Sequence, residues 1–132
     1  MSDKKLLLNI SGHPLSNVAL SQAKERGFRV ITIPVPNVDI TEPQSIVDYI
    51  KKVYDTLTKN KNIVKAIKTN SYSVIPPGLS ILTSGITAML HGVSGSFPNQ
   101  LWLVRNGKGV FELGSSIDLQ TERLKYRDFR NP

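Results

Sequence analysis

The order of hydrophobic runs predicts an α/β domain built on a mostly parallel sheet. Three observations carry this reading. Short aliphatic or β-branched runs alternate with stretches of helical periodicity, Gly and Pro punctuate the junctions between them, and an Asn-Gly pair separates two runs near the end.

Lys5–Ile10 (KLLLNI) reads as a buried strand halted at Ser11-Gly12. Leu15, Val18, Ala19 and Ala23 then recur at helical spacing, with Pro14 and Ser16 marking a helix start and Gly27 its stop. Phe28–Ile33 (FRVITI) is a second strand, closed by Pro34 and Pro36. Thr41-Glu42-Pro43-Gln44 has the form of a capping box, in which the Thr41 hydroxyl accepts from the Gln44 backbone while the Gln44 side chain reaches back. The helix it opens sets Ile46, Val47, Ile50, Val53, Tyr54 and Leu57 on one stripe. Asn62–Lys68 adds a short helical turn. Tyr72–Ile75 is a third strand, halted by Pro76-Pro77-Gly78, and Leu79–His91 a third helix with Leu82, Ile86, Met89 and Leu90 inward. Leu101–Arg105 and Lys108–Leu113 flank Asn106-Gly107, the dipeptide signature of a tight hairpin. A βαβαβα order followed by a hairpin implies right-handed crossovers and a Rossmann-like three-layer domain with a C-terminal β-hairpin. The domain is assigned to residues 1–114. Residues 115–132 (SSIDLQTERLKYRDFRNP) are a charged C-terminal extension of the same domain, readable as a last helix, an edge element or an arm that grips a partner.

A length of 132 residues suits one domain, and 39% hydrophobic with 20% charged residues argues against disorder. The absence of cysteine removes disulfides, thiolate zinc sites and cysteine nucleophiles, and suits a reducing cytoplasm. The opening apolar run is short and lacks a small-residue cleavage site, and no window approaches the roughly 20 apolar residues of a membrane span. A cytoplasmic protein with no membrane partner is therefore expected.

Seventeen Lys and Arg against ten acids give a net charge of +7, with an isoelectric point near 9.8. Residues 45–70 carry six bases and two acids, whereas nothing charged occurs from Thr69 to Val104. The excess favours a polyanionic partner; the alternative is that Lys51, Lys52, Lys59, Lys61, Lys65 and Lys68 merely form a solvated helix face. Few aromatics accompany these lysines, so no stacking platform for single strands is evident.

In an open parallel sheet, ligands sit beyond the carboxyl ends of the strands. That rule selects Ser11–Ser16, Pro34–Thr41, Pro76–Ser80 and, from its place after the third helix, Gly92–Pro98. Helix N-termini at such loops hold phosphate through backbone N–H groups alone, and the uncharged stretch supplies glycines and hydroxyls. Ser80, Ser84, Thr87 and His91 fall on one helical face, either as a polar wall beside a ligand or as a solvent face. His13 is the sharper candidate. In Ser11-Gly12-His13-Pro14 it can donate to phosphate or move a proton, or simply pack in the turn. His91, near its helix end, has a structural reading as well. There is no G-x-x-x-x-G-K-[ST], no G-x-G-x-x-G after the first strand and no G-x-S-x-G. Two histidines without an acidic motif, and loop carboxylates limited to Asp39 and Glu42, speak against zinc or magnesium sites. No cofactor and no metal are expected.

The segment Asn9-Ile10-Ser11-Gly12-His13-Pro14-Leu15, with the Pro-Pro-Gly loop and the closing hairpin, resembles the small stand-alone CRISPR-associated Rossmann-like proteins of type III systems. These relatives of the CARF domain bind cyclic oligoadenylate messengers; some are ring nucleases and others sequester the ring. The resemblance spans most of residues 5–113 in order and size, with Ser-Gly-His-Pro-Leu its motif-like part. It implies a ligand, most notably cyclic tetra-adenylate, at Ser11, Gly12 and His13, with Pro77, Gly78 and Ser80 in the second loop. It also implies a homodimer or higher homo-oligomer with the ring across the two-fold axis, and His13 as the catalytic group of a metal-independent ring nuclease if the ring is cleaved. The competing expectations are a sequence-tolerant RNA- or DNA-binding module using Lys51–Lys68 and the C-terminal arm, and an adaptor subunit of a larger assembly.

Overall fold

Aliphatic side chains alternate across the first strand, and that alternation sets the layers. In a computed structural model that describes residues 5–130, β1 (Lys5–Asn9) sends Leu6 and Leu8 to one face of the sheet and Leu7 to the other. Residues 1–4 and 131–132, the outermost parts of the expected 1–114 and 115–132 segments, lie outside the described residues. The chain continues through α1 (Asn17–Glu25), β2 (Phe28–Thr32), α2 (Pro43–Thr58), α3 (Lys61–Lys68), β3 (Tyr72–Ile75), α4 (Ser80–Ser94), β4 (Asn99–Arg105), β5 (Phe111–Asp118) and α5 (Leu119–Tyr126), closing on a 3₁₀ turn at Arg127–Phe129. The strands form one sheet in the order β2-β1-β3-β4-β5, with β1 to β4 parallel and β5 antiparallel to β4. The α/β, mostly parallel, three-layer reading and the terminal hairpin are thus both realised.

One face packs Leu6, Leu8, Val74, Val53, Ile63, Ile86 and Leu90 against α2, α3 and α4. The other gathers Leu7, Ile75, Leu101 and Leu113 beneath α1, which contributes Ala19 and Ala23. Among the described residues α1 is the helix whose side chains join this second cluster, and it also serves the sheet edge. Ser16 Oγ donates to the Phe111 carbonyl at 2.7 Å, Gln22 Oε1 accepts from Leu113 N at 2.8 Å, and Arg26 donates to the Gly114 carbonyl at 2.6 Å. Three side chains along one helix thereby satisfy backbone groups of β5 that would otherwise offer a free edge.

The structure departs from the sequence reading at four places. No capping box forms at Thr41: the N-cap of α2 is Glu42, without a side-chain bond, and Pro43 occupies the first turn. Thr41 instead donates from its N–H and hydroxyl to Asp39 Oδ1 at 3.0 and 2.6 Å, while Gln44 donates to Asp48. Asp39 wins because its short carboxylate lies two residues back, where an Asx turn closes. Second, the buried stripe of α2 is Tyr49, Val53 and Leu57, with Ile46 and Ile50 beside it, whereas Val47 and Tyr54 are exposed. Third, the hairpin turn is longer than two residues. Asn106 Oδ1 accepts from the backbone of Lys108 and Val110, and Gly109 takes the left-handed φ of +77° that such a turn needs. Fourth, β5 runs through Gly114 to Asp118, and Asp118 then caps α5 through Gln120 N and Thr121 N. Residues 115–130 are therefore an edge strand and a helix together.

Tyr72 is buried in the larger core, and its hydroxyl has no hydrogen-bond partner among the described residues. Burial pushes its phenol above the usual value, an effect only partly offset by the nearby Ser94 hydroxyl. A raised folded-state value stabilises the fold below about pH 10 and is lost as pH climbs through it. Tyr72→Phe removes a desolvated group with no partner and is expected to raise Tm by roughly 2–5 °C at neutral pH. It should also weaken the alkaline fall in stability; thermal melts at pH 7 and above pH 10 check both, and a lower Tm at pH 7 would show that the hydroxyl is satisfied.

Candidate functional site

From β1 the chain goes outward to β2, then returns past β1 to β3 and continues to β4. The direction reverses between β1 and β3, so the loops leaving their carboxyl ends diverge and leave a crevice. A cleft of about 1000 Å³ lies there.

Its first wall is built from Asn9, which is 0% exposed at the end of β1. Its Nδ2 donates to the His13 carbonyl at 2.7 Å and to Thr32 Oγ1 of β2 at 3.4 Å. Its Oδ1 accepts from Ser11 N at 3.2 Å and Ser11 Oγ at 2.6 Å. One buried amide thus ties the end of β1, the bend after it and β2. Gly12 sits at the apex with φ +87°, where a side chain would be strained whatever space it found. The bend holds His13 by its backbone alone. Its imidazole is exposed, lines the cleft and has no hydrogen-bond partner among the described residues.

The second wall is the Pro76–Leu79 loop. Thr83 Oγ1 donates to the Pro77 carbonyl at 2.6 Å, binding the loop to α4. The N-cap of α4 is Leu79, which cannot cap, so the first-turn N–H groups of a 15-residue helix are left uncovered at the cleft margin. By contrast, α1 is capped by Ser16 through Ala19 N. Val35 to Val38 and the buried Tyr49 form a third side. Asp39 holds the end of that loop, and its bonds from the Thr41 side chain and backbone keep its carboxyl below the usual range. Burial raises the Tyr49 phenol above its usual value.

Trp102, Val110 and Phe111 of the hairpin complete the lining. Trp102 needs Gly114: a Cβ there would stand 2.8 Å from the Trp102 carbonyl and 2.9 Å from its indole nitrogen. The Arg105 guanidinium lies 4.9 Å from the centre of the Phe111 ring. Among the described residues, no Asp, Glu, Lys or Arg lines the cleft, whose polar groups are hydroxyls, amides and ring nitrogens. Such a site suits a flat, aromatic, hydrogen-bonding ligand.

Of the residues singled out from the sequence, Ser11, His13, Pro77 and Gly78 line this cleft, with Gly12 setting the bend between the first two. Ser80 and Ser84 are exposed along α4 outside the lining, and His91 lies about three turns further on, half-buried and stacked on Phe97 at 4.2 Å between ring centres. The Gly92–Pro98 loop leads into β4, so it belongs to the opposite edge of the sheet; following a helix put it at the entry of a strand, not at the exit of one. Asn9, Tyr49, Trp102 and Phe111 are the site residues that the sequence reading passed over. Asn9 had a signal, as the lone polar residue in KLLLNI, and Tyr49 had another in its spacing to Val53 and Leu57. Trp102 and Phe111 had none, because only the folded hairpin brings them over the rim.

No protein-family model, curated protein or solved structure matches this chain.

Asn9→Ala should cost about 1–3 kcal/mol, because the Ser11 and His13 groups lose their buried partner. His13→Ala should leave the melting temperature essentially unchanged. Chemical denaturation of the two variants separates these roles, and equal losses would assign the imidazole to the fold.

Proposed function

We propose that this protein binds a cyclic oligoadenylate, in the first instance cyclic tetra-adenylate, at the carboxyl rim of its sheet. It would sequester the ring in type III CRISPR signalling or degrade it slowly without a metal. The observation that carries this reading is the uncharged cleft between the Ser11–His13 bend and the Pro76–Leu79 loop. Trp102, Phe111 and the accessible prolines offer flat apolar surface to adenine, hydroxyls and amides suit its hydrogen-bonding edge, and the uncovered N–H groups of α4 suit a phosphate. The ligand class comes from the resemblance of the Ser-Gly-His-Pro-Leu segment.

A ring of four nucleotides exceeds one open cleft, which favours two copies around it. Leu79 and Trp102 at the cleft margin are 49% and 39% exposed, and apolar surface continues onto Ile81 and Val104. An uncharged patch of this kind supports a two-fold pair, with a symmetric ligand across symmetric sites.

Cleavage would proceed by attack of a ribose 2′-oxygen on the adjacent phosphorus, with the P–O5′ bond breaking. A base takes the 2′ proton, an acid gives a proton to the leaving 5′-oxygen, and the linear product ends in a 2′,3′-cyclic phosphate. His13, whose imidazole lines the cleft, would make one of these transfers. With one imidazole and no Lys or Arg in the lining, a single subunit supplies neither a full acid–base pair nor a charged group for the transition state. Binding should therefore outrun turnover.

Radiolabelled cyclic tetra-adenylate run on a native gel and on a product gel tests both halves. A shift at or below micromolar protein, with little conversion, is expected. His13→Ala should weaken binding or lower residual turnover by about 10²-fold or more, with Tm unchanged. No shift at micromolar protein would overturn the proposal.

A further inference from the structure

The charge absent from the cleft has gone to the other end of the molecule. At the carboxyl rim, Asp39, Glu42, Asp48 and Glu112 outnumber Arg105 and Lys108. At the opposite edge, α3 presents Lys61, Lys65 and Lys68 around a shallow groove with Thr58 and Thr69. All three lysines are exposed, and no ion pair engages them among the described residues. The C-terminal segment brings Arg123, Arg127 and Arg130 to the same edge, because β5 is antiparallel and ends where β4 begins, while Lys125 is paired with Glu122 at 2.8 Å and Asp128 lies between Arg127 and Phe129. The two basic groups are joined. Lys5, Asn70 just after α3, and Asp118 and Gln120 at the start of α5 line one hollow, and Gln120 Oε1 accepts from Phe97 N at 2.9 Å, fixing α5 there.

Aromatic residues alternate in sequence with the C-terminal bases. Tyr126 is 72% exposed and Phe129 92%, and neither α5 nor the turn after it contains a buried residue. Tyr54, farther along α2, is also exposed. We infer that this edge is a second binding surface, for the backbone and unstacked bases of single-stranded RNA. Lysines and arginines supply the phosphate contacts, and Tyr126 and Phe129 stack on bases in a sequence-tolerant manner. A duplex would leave the two rings idle, since its bases are already stacked. An anionic bilayer is the poorer match: at about 100° per residue Leu124 lies on the far side of α5 from Tyr126, so the helix has no one-sided apolar face to insert. The surface is independent of the cleft, and its occupancy does not rest on the cyclic nucleotide.

Fluorescence anisotropy with a labelled single-stranded oligouridylate, the same length of duplex RNA and phosphatidylserine vesicles, over roughly 50–300 mM salt, tests the inference. Single strands should bind best, with affinity falling steeply as salt rises. Lys61→Glu/Lys65→Glu/Lys68→Glu should reduce the log–log salt slope by about 2, from about 0.7 per lost contact. Tyr126→Ala/Phe129→Ala, which removes two stacking rings, should weaken binding by roughly thirtyfold or more with the slope unchanged. Because every substituted group is exposed, both variants should melt as the parent does. Absence of RNA binding at about 50 mM salt, preference for duplex or vesicles, or binding untouched by both variants would each overturn it.

Discussion

A single buried amide holds the candidate site together. Asn9 ends a strand of leucines, and its side chain takes no part in the sheet ladder. It spends both its donor and its acceptor on the bend from Ser11 to His13, and reaches Thr32 on β2. Burying an unpaired amide would be costly, so the bend and the amide require each other. The result is an exposed imidazole on a loop whose backbone is fixed from below. The side chain that faces the cleft is thus free of structural bonds, and the residue that places it never meets solvent.

The distribution of charge follows from the same topology. Parallel strands put every β-to-α loop at one rim and every α-to-β loop at the other. The uncharged stretch from Thr69 to Val104 builds β3, α4 and most of β4, which form the middle of the domain and half of the cleft. Lys61, Lys65 and Lys68 on α3 and Arg123 and Lys125 on α5 flank the opposite edge. One rim therefore offers amides, hydroxyls and aromatic rings, and the other offers cations. A compact nucleotide and an extended nucleic acid strand would be read by different physics on one small fold.

Most of the architecture was legible because it rests on local signals. Strand β3, Tyr72–Ile75, is bounded by the residues that the alternation and the Pro-Pro stop indicate, and Gly27 ends the first helical segment with a left-handed φ of +84°. What the sequence did not disclose involved competition or distance. Asp39 outcompeted the capping box for Thr41, a contest between two local motifs three residues apart. Gly109, not Gly107, carried the positive φ of the hairpin, because Asn106 bonded forward to Val110. The placement of Trp102 over Gly114 depends on a register shift between Leu101 and Leu103, and tertiary geometry alone fixes that. At the site, the bend and the Pro-Pro-Gly loop were visible as motifs, whereas the aromatic wall was not.

The most direct measurement is calorimetric titration of cyclic tetra-adenylate into the protein across about 50–300 mM salt. Recognition by amides, hydroxyls and stacked rings at the uncharged rim predicts an affinity that changes little over this range. A steep decline, with a log–log slope approaching that of about four neutralised phosphates at roughly 0.7 each, would mean that the ring sits on the basic edge instead. That outcome, or no heat of binding at all, would contradict the assignment of the cleft.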